Sequence, residues 1–329
     1  MNIGYFCAQE QNTPESLLRH AMKAENAGFS SIWTSDHFHP WNHESAQCGF
    51  AWTWLGAVGA KTNKTMLGTG VTSTSGRYNP AVTAQAFATL SRLYPGRVFL
   101  GLGTGEAMNE VPVGNPWPAF GERYARLAEF ATIVRRLWSE SFVTFQGRYY
   151  SVNGANLYTK PQVRCRLYVA ADGPRAAKIA GRHADGLITT ASLEEFNKKV
   201  KPHALEQYSM RTGESAKFRF IVELLASYDP DDDKALDSCK FWKPALVPNS
   251  YLMKVADPRE FASVGNQVSD DTVRASCIVG SNLDDHLEKL FECEQAGFDE
   301  VVILNTSPDR ELLIDQYAKR ILPNFAHKP

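Results

Sequence analysis

Short apolar segments rich in β-branched and aromatic residues alternate along this chain with longer segments of helical pattern. The apolar segments are residues 3–6, 31–34, 66–71, 98–102, 167–170, 186–189, 218–225, 276–279 and 301–304. Strands separated by helices in this rhythm pair in parallel, because each helix carries the chain back to the start of the next strand. Eight or nine such strands predict an α/β fold, a (β/α)8 TIM barrel with insertions rather than an open sheet.

The ends of several helices can be placed from local residues. Thr13 and Asn79 each precede a proline, which predicts a capping side chain followed by a first helical residue that needs no N–H donor. The peptides ENAGF at 25–29 and EQAGF at 294–298 repeat one another. We expect the glycine of each to end a helix in the left-handed conformation, with the phenylalanine packed back on that helix.

Composition excludes several classes of function. Of the 329 residues 43% are hydrophobic, and 35 Lys+Arg against 36 Asp+Glu give a net charge of -1. A chain with so little net charge has no general attraction for nucleic acid or a membrane surface. The six cysteines form no C-x-x-C pair and the first residues resemble no signal peptide, so we expect reduced thiols and a cytoplasmic protein.

Two segments interrupt the alternation of strands and helices. Residues 143–152 alternate in polarity on both sides of Gln146-Gly147, which predicts a β-hairpin insertion. Residues 241–258 are rich in proline and aromatic residues and are irregular. A long irregular connection of this kind is typical of a lid over a binding site.

Polar residues follow the predicted strands at the point where each strand ends. They are His37, His39 and Trp41, then 72–75, 103–106, 172–174 and 189–190. In a barrel these positions all lie at the carboxyl-terminal mouth, where active sites of this architecture occur. The sequence therefore predicts a functional site at that mouth.

The histidine-rich segment 36–43 has two interpretations. A metal site built on His37-x-His39 would also need histidines and an aspartate after later strands, and these are missing from the sequence. We therefore expect no metal. His37, next to Asp36 at a strand end, fits a general base because an imidazole titrates near neutral pH, whereas His39 and His43 are better explained as polar loop residues.

The glycine-rich segment 101–106 follows a strand but lacks the G-x-G-x-x-G pattern, and Glu106 would face a pyrophosphate. These features argue against a nicotinamide dinucleotide site. Two interpretations stay open. The glycines can form a tight turn that closes a barrel strand, or they can allow a flat ring to approach the backbone with Glu106 as a proton donor.

The segment 172–175 also has two interpretations. Pro174 suits the first position of a helix, whose free N–H groups can bind an anion, and basic residues follow it. Those basic residues can equally cover a solvated helix face. Asp172 argues against a phosphate at this place.

Four motifs in order resemble one family. They are DHFHPW at 36–41, RYNPA at 77–81, YPGRV at 94–98 and GTGEAMNEV at 103–111. Together they resemble the bacterial-luciferase-like superfamily, in the branch of the F420-dependent secondary alcohol dehydrogenases and F420-dependent glucose-6-phosphate dehydrogenases. The resemblance runs nearly end to end. It implies one luciferase-like TIM-barrel domain over 1–329, with insertions at about 106–165 and 241–273.

The resemblance also implies an enzyme, a homodimer that carries the deazaflavin coenzyme F420 across its barrel mouth. Hydride passes between a substrate carbinol carbon and C5 of the deazaflavin. His37 would take the hydroxyl proton, Trp41 would wall the substrate and stabilise charge, Glu106 would donate a proton near N1, and Glu10 would be a further carboxylate of the pocket. The implied cofactor contacts are Asp36, Gly70, Val71, Thr104, Gly105, Asn109, Gly173 and Pro174, with a non-prolyl cis peptide at Gly70–Val71.

The expected substrate is inferred from differences between this sequence and the F420-dependent glucose-6-phosphate dehydrogenases, the sugar-phosphate members of the branch. This chain shares their threonine, as Thr190, and the resemblance implies that it contacts the substrate. No lysine follows in 191–193, however, and Ser276 stands where those members have an arginine. Lys254 persists, and Arg274 or Lys198 could replace a lost cation. Without charge-assisted bonds a phosphorylated sugar binds poorly, so we expect a neutral secondary alcohol or its ketone. The alternatives are an F420-dependent sugar-6-phosphate dehydrogenase, an FMN-dependent luciferase-like monooxygenase and a non-enzymatic binding barrel.

Overall fold

The computed structural model describes residues 1–213 and 218–325. By its internal contacts the chain divides into two units. One comprises Met1–Thr65 together with the chain from Ile221 onward, and the other comprises Met66–Phe220. The units are described separately below as unit one and unit two.

Parallel strands and helices alternate through the described residues. The strands are β1 (Asn2–Cys7), β2 (Ser31–Thr34), β3 (Met66–Thr69), β4 (Thr72–Ser73), β5 (Val98–Gly103), β6 (Val143–Gln146), β7 (Ser151–Ala155), β8 (Arg166–Ala170), β9 (Gly186–Thr189), β10 (Arg219–Tyr228), β11 (Ile278–Gly280) and β12 (Glu300–Asn305). The α-helices are α1 (Pro14–Ala27), α2 (Ala51–Lys61), α3 (Pro80–Leu93), α4 (Ala107–Glu110), α5 (Phe120–Ser139), α6 (Pro174–His183), α7 (Leu193–Glu195), α8 (Lys201–Thr212), α9 (Asp232–Asp237), α10 (Pro258–Gly265), α11 (Asp270–Ser276), α12 (Leu283–Ala296) and α13 (Arg310–Gln316). Short 3-10 and π-helical turns lie at Val111–Val113, Phe196–Val200, Ser238–Leu246, Ser250–Leu252, Tyr317–Ile321 and Leu322–Asn324.

Unit one is built on a parallel sheet with the strand order β11, β10, β12, β1, β2. Tyr5 of β1 is level with Ile303 of β12 on one side and with Ile32 of β2 on the other. β2 and β12 are buried along their whole length and β1 along all but its first residue. Strands covered on both faces consist of continuous apolar runs rather than alternating ones, which is why the sequence pattern located them.

Unit two contains the parallel order β3, β5, β8, β9, with β4 also paired to β5. Its central strand β5 is buried throughout. A separate antiparallel hairpin joins β6 and β7. The hairpin confirms the predicted insertion, but its turn is not at Gln146-Gly147.

The turn of the hairpin spans 147–150, between the ends of β6 and β7. The carboxylate of Glu129 in α5 accepts hydrogen bonds from the backbone N–H groups of Arg148, Tyr149 and Tyr150 at 2.8–2.9 Å. A charged acceptor of this kind satisfies donors that a two-residue turn would place in the strand ladder. Glu129 of α5 therefore determines the position of the hairpin turn.

The predicted helix ends are confirmed. The side chains of Thr13 and Asn79 accept hydrogen bonds from the first turns of α1 and α3, and Gly28 and Gly297 end α1 and α12 with φ of 103° and 90°. The strand predicted at 276–279 is partly wrong. Ser276 is the last residue of α11, a short helix that Ser269 caps, and the strand β11 begins at Ile278.

Glu25, in the last turn of α1, organises the backbone that precedes β3. Its carboxylate accepts hydrogen bonds from the N–H groups of Asn63, Lys64 and Thr65 and from the Thr65 hydroxyl, at 2.8–3.1 Å. Burial alone would raise the pKa of Glu25, but these donors outweigh it and lower the pKa from 4.5 to about 2. The glutamate at the equivalent place in the repeated peptide, Glu294, binds the ammonium group of Met1 at 2.9 Å.

We predict that Glu25→Gln lowers the free energy of unfolding by about 1–2 kcal/mol near pH 7, since the partly exposed carboxylate is screened by solvent. The folded pKa lies below the unfolded one, so the carboxylate stabilises the fold above about pH 4.5 and loses this effect as the pH falls toward about 2. Urea denaturation followed by circular dichroism at several pH values measures the difference.

Glu288→Gln on the exposed face of α12 is the matched control, with an expected change within about 0.5 kcal/mol. The wild type and Glu25→Gln should converge in stability as the solution is acidified below about pH 4.5. A difference that stays constant from neutral to acidic pH would contradict the role of the charged carboxylate.

Candidate active site

Glu10 and His37 lie together at the carboxyl-terminal ends of β1 and β2 in unit one. The Nδ1 atom of His37 is 3.5 Å from Glu10 Oε1 and 3.2 Å from the carbonyl oxygen of His39. The Ser35 hydroxyl donates to Glu10 Oε2 at 2.5 Å, and the backbone N–H of Gln9 donates to Ser35 Oγ at 2.9 Å. Glu10 is 1% exposed and His37 11%.

This arrangement determines which nitrogen of His37 can accept a proton. Two oxygen acceptors face Nδ1, so the neutral imidazole carries its proton there and leaves the lone pair on Nε2. A carboxylate beside the ring also stabilises the imidazolium ion once a proton has arrived. The pair Glu10–His37 can therefore act as a general base through Nε2.

Trp41 stands beside this pair. Its ring centroid is 5.6 Å from that of His37, and its other side contacts Phe261 of α10 edge-on at 5.3 Å. Trp41 is 9% exposed, so its position is fixed by packing. It forms a rigid apolar wall next to the candidate base.

The irregular segment predicted as a lid is tied to the same strand ends. Its residues form the 3-10 turns after α9 and the start of α10. His39 Nδ1 lies 3.1 Å from the carbonyl oxygen of Ala256, and the Trp242 indole donates to Gln11 at 3.0 Å. The segment therefore contacts the residues that follow both β1 and β2.

Asp36, predicted as a cofactor contact, follows β2 directly. It is buried, and the indole N–H of Trp52 in α2 donates to its carboxylate at 3.1 Å. This bond fixes the orientation of Asp36.

In unit two, Gly70–Val71 is a non-prolyl cis peptide as predicted. The two glycines of β5 beside it have a packing reason. A Cβ on Gly101 would overlap the carbonyl oxygen of Thr69, and one on Gly103 would lie 2.5 Å from Val71 Cγ2. The glycine-rich pattern thus lets the segment around Val71 lie directly on β5.

Gly105 follows at φ 73°, where a Cβ would overlap the Ser73 hydroxyl. That hydroxyl donates to Glu110 Oε1. Glu110 Oε2 accepts from the backbone N–H of Arg77 at 2.8 Å and from the Asn115 amide at 3.1 Å. Burial raises the pKa of Glu110 above its ordinary value, against the lowering effect of these donors.

Sequence reasoning missed Glu110. An available signal was its place in the segment AMNEVPV at 107–113, because an acid among apolar neighbours must be hydrogen-bonded if it is buried.

Glu106, the predicted proton donor, is half-buried and accepts a hydrogen bond from Asn109 Nδ2 at 3.0 Å. The carbonyl oxygen of Thr104 accepts from the Ser75 hydroxyl at 2.6 Å.

Asp172 joins the ends of β8 and β9. Its carboxylate accepts from the Thr189 hydroxyl and the Thr190 N–H at 2.7 Å each and from the Thr190 hydroxyl at 3.1 Å. The next residue, Gly173, is the N-cap of α6 and makes no side-chain capping bond, and Pro174 is the first helical residue. The helix start is therefore open, as the sequence predicts.

The cations considered for a substrate phosphate are all exposed. Lys254 and Arg274 are exposed, and Lys198 forms an exposed i,i+4 ion pair with Glu194 at 2.7 Å.

Three histidines outside the candidate site lie in helices, with His20 and His286 buried and His183 half-buried. Burial lowers the pKa values of His20, His183 and His286 to about 4, so these rings are neutral at pH 7.

Among residues 1–213 and 218–325 no group of three or more His, Cys, Asp or Glu side chains could hold a metal ion. In the same residues no helix has the length and apolar character needed to cross a membrane.

Comparison with known proteins extends these observations. The family model described as luciferase-like monooxygenase matches residues 1–300. An F420-dependent glucose-6-phosphate dehydrogenase of Intrasporangium calvum is 39% identical over 330 residues, 99% of each chain. The protein of the same name from Mycobacterium tuberculosis is 37% identical over 335 residues, covering 99% of this chain and 98% of its own.

A solved structure of an F420-dependent secondary alcohol dehydrogenase in complex with an F420-acetone adduct is similar with a TM-score of 0.95. It is 38% identical and the match covers 98% of both chains. The fold is accordingly the bacterial-luciferase-like (β/α)8 TIM barrel that the alternation of strands and helices predicts. The chain belongs to the luciferase-like monooxygenase family, in its branch of F420-dependent dehydrogenases.

Proposed function

We propose that this protein transfers a hydride between a neutral secondary alcohol, or its ketone, and the deazaflavin coenzyme F420. That it is an F420-dependent oxidoreductase follows from nearly full-length similarity to F420-dependent dehydrogenases. The alcohol substrate, the homodimer, the single domain and the role of each site residue are part of the proposal. The observation that supports the chemistry best is the Glu10–His37 pair, with Nε2 of His37 left as a proton acceptor.

The residues of unit two fit the cofactor. Apart from its two chain neighbours, no heavy atom of the described residues lies within 4 Å of a Cβ built on Gly173, so the open N-terminus of α6 has room for the cofactor phosphodiester, which helix N–H groups stabilise. In unit two, Thr104, Gly105 and Asn109 would hold the ring with Gly70–Val71. The bound deazaflavin supplies a two-electron acceptor for hydride.

The chain itself handles the proton. His37 Nε2 accepts the hydroxyl proton of the alcohol as hydride leaves the carbinol carbon, and Glu10 stabilises the resulting imidazolium ion. Ser35 and the Gln9 N–H hold Glu10 in place through the bonds described above. Trp41 excludes water from one side of the imidazole, because it is packed between His37 and Phe261. Glu106 would supply the proton needed near N1 of the ring.

A sugar-6-phosphate dehydrogenase is the second candidate, because relatives 37–39% identical carry that name. Two features stand against it: Ala191-Ser192-Leu193 bring no lysine after Thr190, and Ser276 stands where the sugar-phosphate members have an arginine. Each missing charge-assisted bond corresponds to about 1.5–3 kcal/mol of binding. Lys254, exposed in unit one, would be the remaining cation for a phosphate.

We predict that His37→Ala lowers the turnover of secondary alcohols by about 10²–10⁴-fold, the usual contribution of a general base. F420 affinity, measured by titrating the absorbance of the coenzyme, should change far less. His43→Ala, which removes an exposed imidazole from the same loop, is the matched control and should turn over at the wild-type rate. Full activity in His37→Ala would remove this residue from the mechanism.

A substrate panel separates the candidate functions. We expect isopropanol-like alcohols to bleach the visible band of oxidised F420, with kcat/KM for glucose 6-phosphate at least about 100-fold lower because two charge-assisted bonds are missing. Comparable kcat/KM for glucose 6-phosphate, abolished by Lys254→Ala, would establish the sugar-phosphate alternative instead. Oxygen consumption with reduced FMN, and no reaction with F420, would indicate a flavin monooxygenase.

A further inference from the structure

The end of β9 holds four hydrogen-bond donors, and all four are already bonded within unit two. The Thr189 hydroxyl, the Thr190 N–H and the Thr190 hydroxyl donate to Asp172. The fourth, the N–H of Ala191, donates to Thr189 Oγ1 at 3.1 Å. A ligand arriving at this strand end therefore meets a carboxylate and hydroxyl lone pairs.

We infer that Asp172 is a specificity-determining residue, which prevents a phosphate group from binding at the end of β9 and allows a hydroxyl group to bind there. This inference rests on the proposed function, and it takes Thr190 as a substrate residue, as the family resemblance implies. An ionised phosphate only accepts hydrogen bonds and carries a charge of nearly -2 at neutral pH. It would find no proton at Thr189 or Thr190, and the Asp172 carboxylate would repel it.

An alcohol hydroxyl has the complementary chemistry. It brings its own proton, and Thr190 Oγ1, which already donates to Asp172, has lone pairs left to accept that proton in a hydrogen bond. Thr190 is exposed while Thr189 is 2% exposed. Of the two hydroxyls, Thr190 is therefore the one that a ligand can reach.

Asp172 does not occupy the donors of the neighbouring helix start. Its carboxylate is directed to β9 and does not cap α6, whose N-cap Gly173 makes no side-chain bond. The same residue thus separates two places. The start of α6 can receive a phosphodiester through its N–H groups, while the end of β9 at Thr189 cannot offer donors to a second phosphate.

The test measures the binding of methyl phosphate, a monoester whose dianion has no hydrogen-bond donor, to the full-length protein by isothermal titration calorimetry, with F420 present. Asp172→Asn keeps the shape of the side chain, removes its charge and releases the Thr190 hydroxyl proton. It should lower the Kd for methyl phosphate about tenfold, as expected for one like charge removed at roughly 6 Å in partly solvated surroundings of effective dielectric about 40. Asp172→Gly frees all three donors and should lower the Kd at least as much.

Glu195→Gln is the matched control, because it removes one exposed negative charge just beyond β9 without touching these donors. It should leave the Kd for methyl phosphate near the wild-type value. Thr190→Val in the Asp172→Asn background should reverse the part of the gain that depends on the released Thr190 proton, which locates that added affinity at this strand end. Binding that is unchanged in both Asp172 variants, or improved equally by Glu195→Gln, would overturn the inference.

The outcome is distinguishable from a failure of the proposed function. A protein that binds no F420 and oxidises no alcohol would refute that function, yet phosphate titration needs no turnover and would still report on Asp172. Conversely, an active alcohol dehydrogenase whose Asp172 variants gain no phosphate affinity would keep its function and lose this specificity residue.

Discussion

The central strands of both units are buried on both faces, and this burial determines where chemistry can occur. The residues within β2, β5, β9 and β12 are buried without exception, and a charged side chain inside such a strand would be strongly destabilising unless paired. Polar side chains are therefore concentrated beyond the last paired residue of each strand. Because the strands of a unit run in parallel, those positions fall at one edge of its sheet.

The same hydrogen bond, between a carboxylate and a hydroxyl group, connects neighbouring strand ends at three places. An acid that follows one strand accepts a hydrogen bond from a serine or threonine hydroxyl at the end of the adjacent strand. The pairs are Glu10 with Ser35, Glu110 with Ser73, and Asp172 with Thr189. Each carboxylate also binds a further donor or the His37 ring, so the loops are held by charge-assisted bonds where the strand ladder has ended.

The sequence located these strands because doubly buried strands are continuous apolar runs, and it located helix ends where one residue decides the conformation, as at Gly28 and Gly297. It placed His37 at a strand end but did not reveal the Ser35 hydroxyl that holds Glu10, the partner of His37, since that bond joins different loops. The hairpin turn was misplaced for a similar reason: the deciding acceptor, Glu129, lies in α5. Ser276 was misassigned because α11 is short, although Ser269 has the residue type of an N-cap.

The polar groups at the strand ends present acceptors rather than donors. In unit one, His37 offers Nε2 because two oxygens occupy the Nδ1 side of the ring. In unit two, Thr190 offers only lone pairs, because Asp172 binds its proton. A ligand recognised by acceptors must bring protons of its own, as an alcohol does and an ionised phosphate does not. Under the proposed function, hydrogen-bond direction at Thr190 therefore favours a hydroxyl group over a phosphate group at the end of β9.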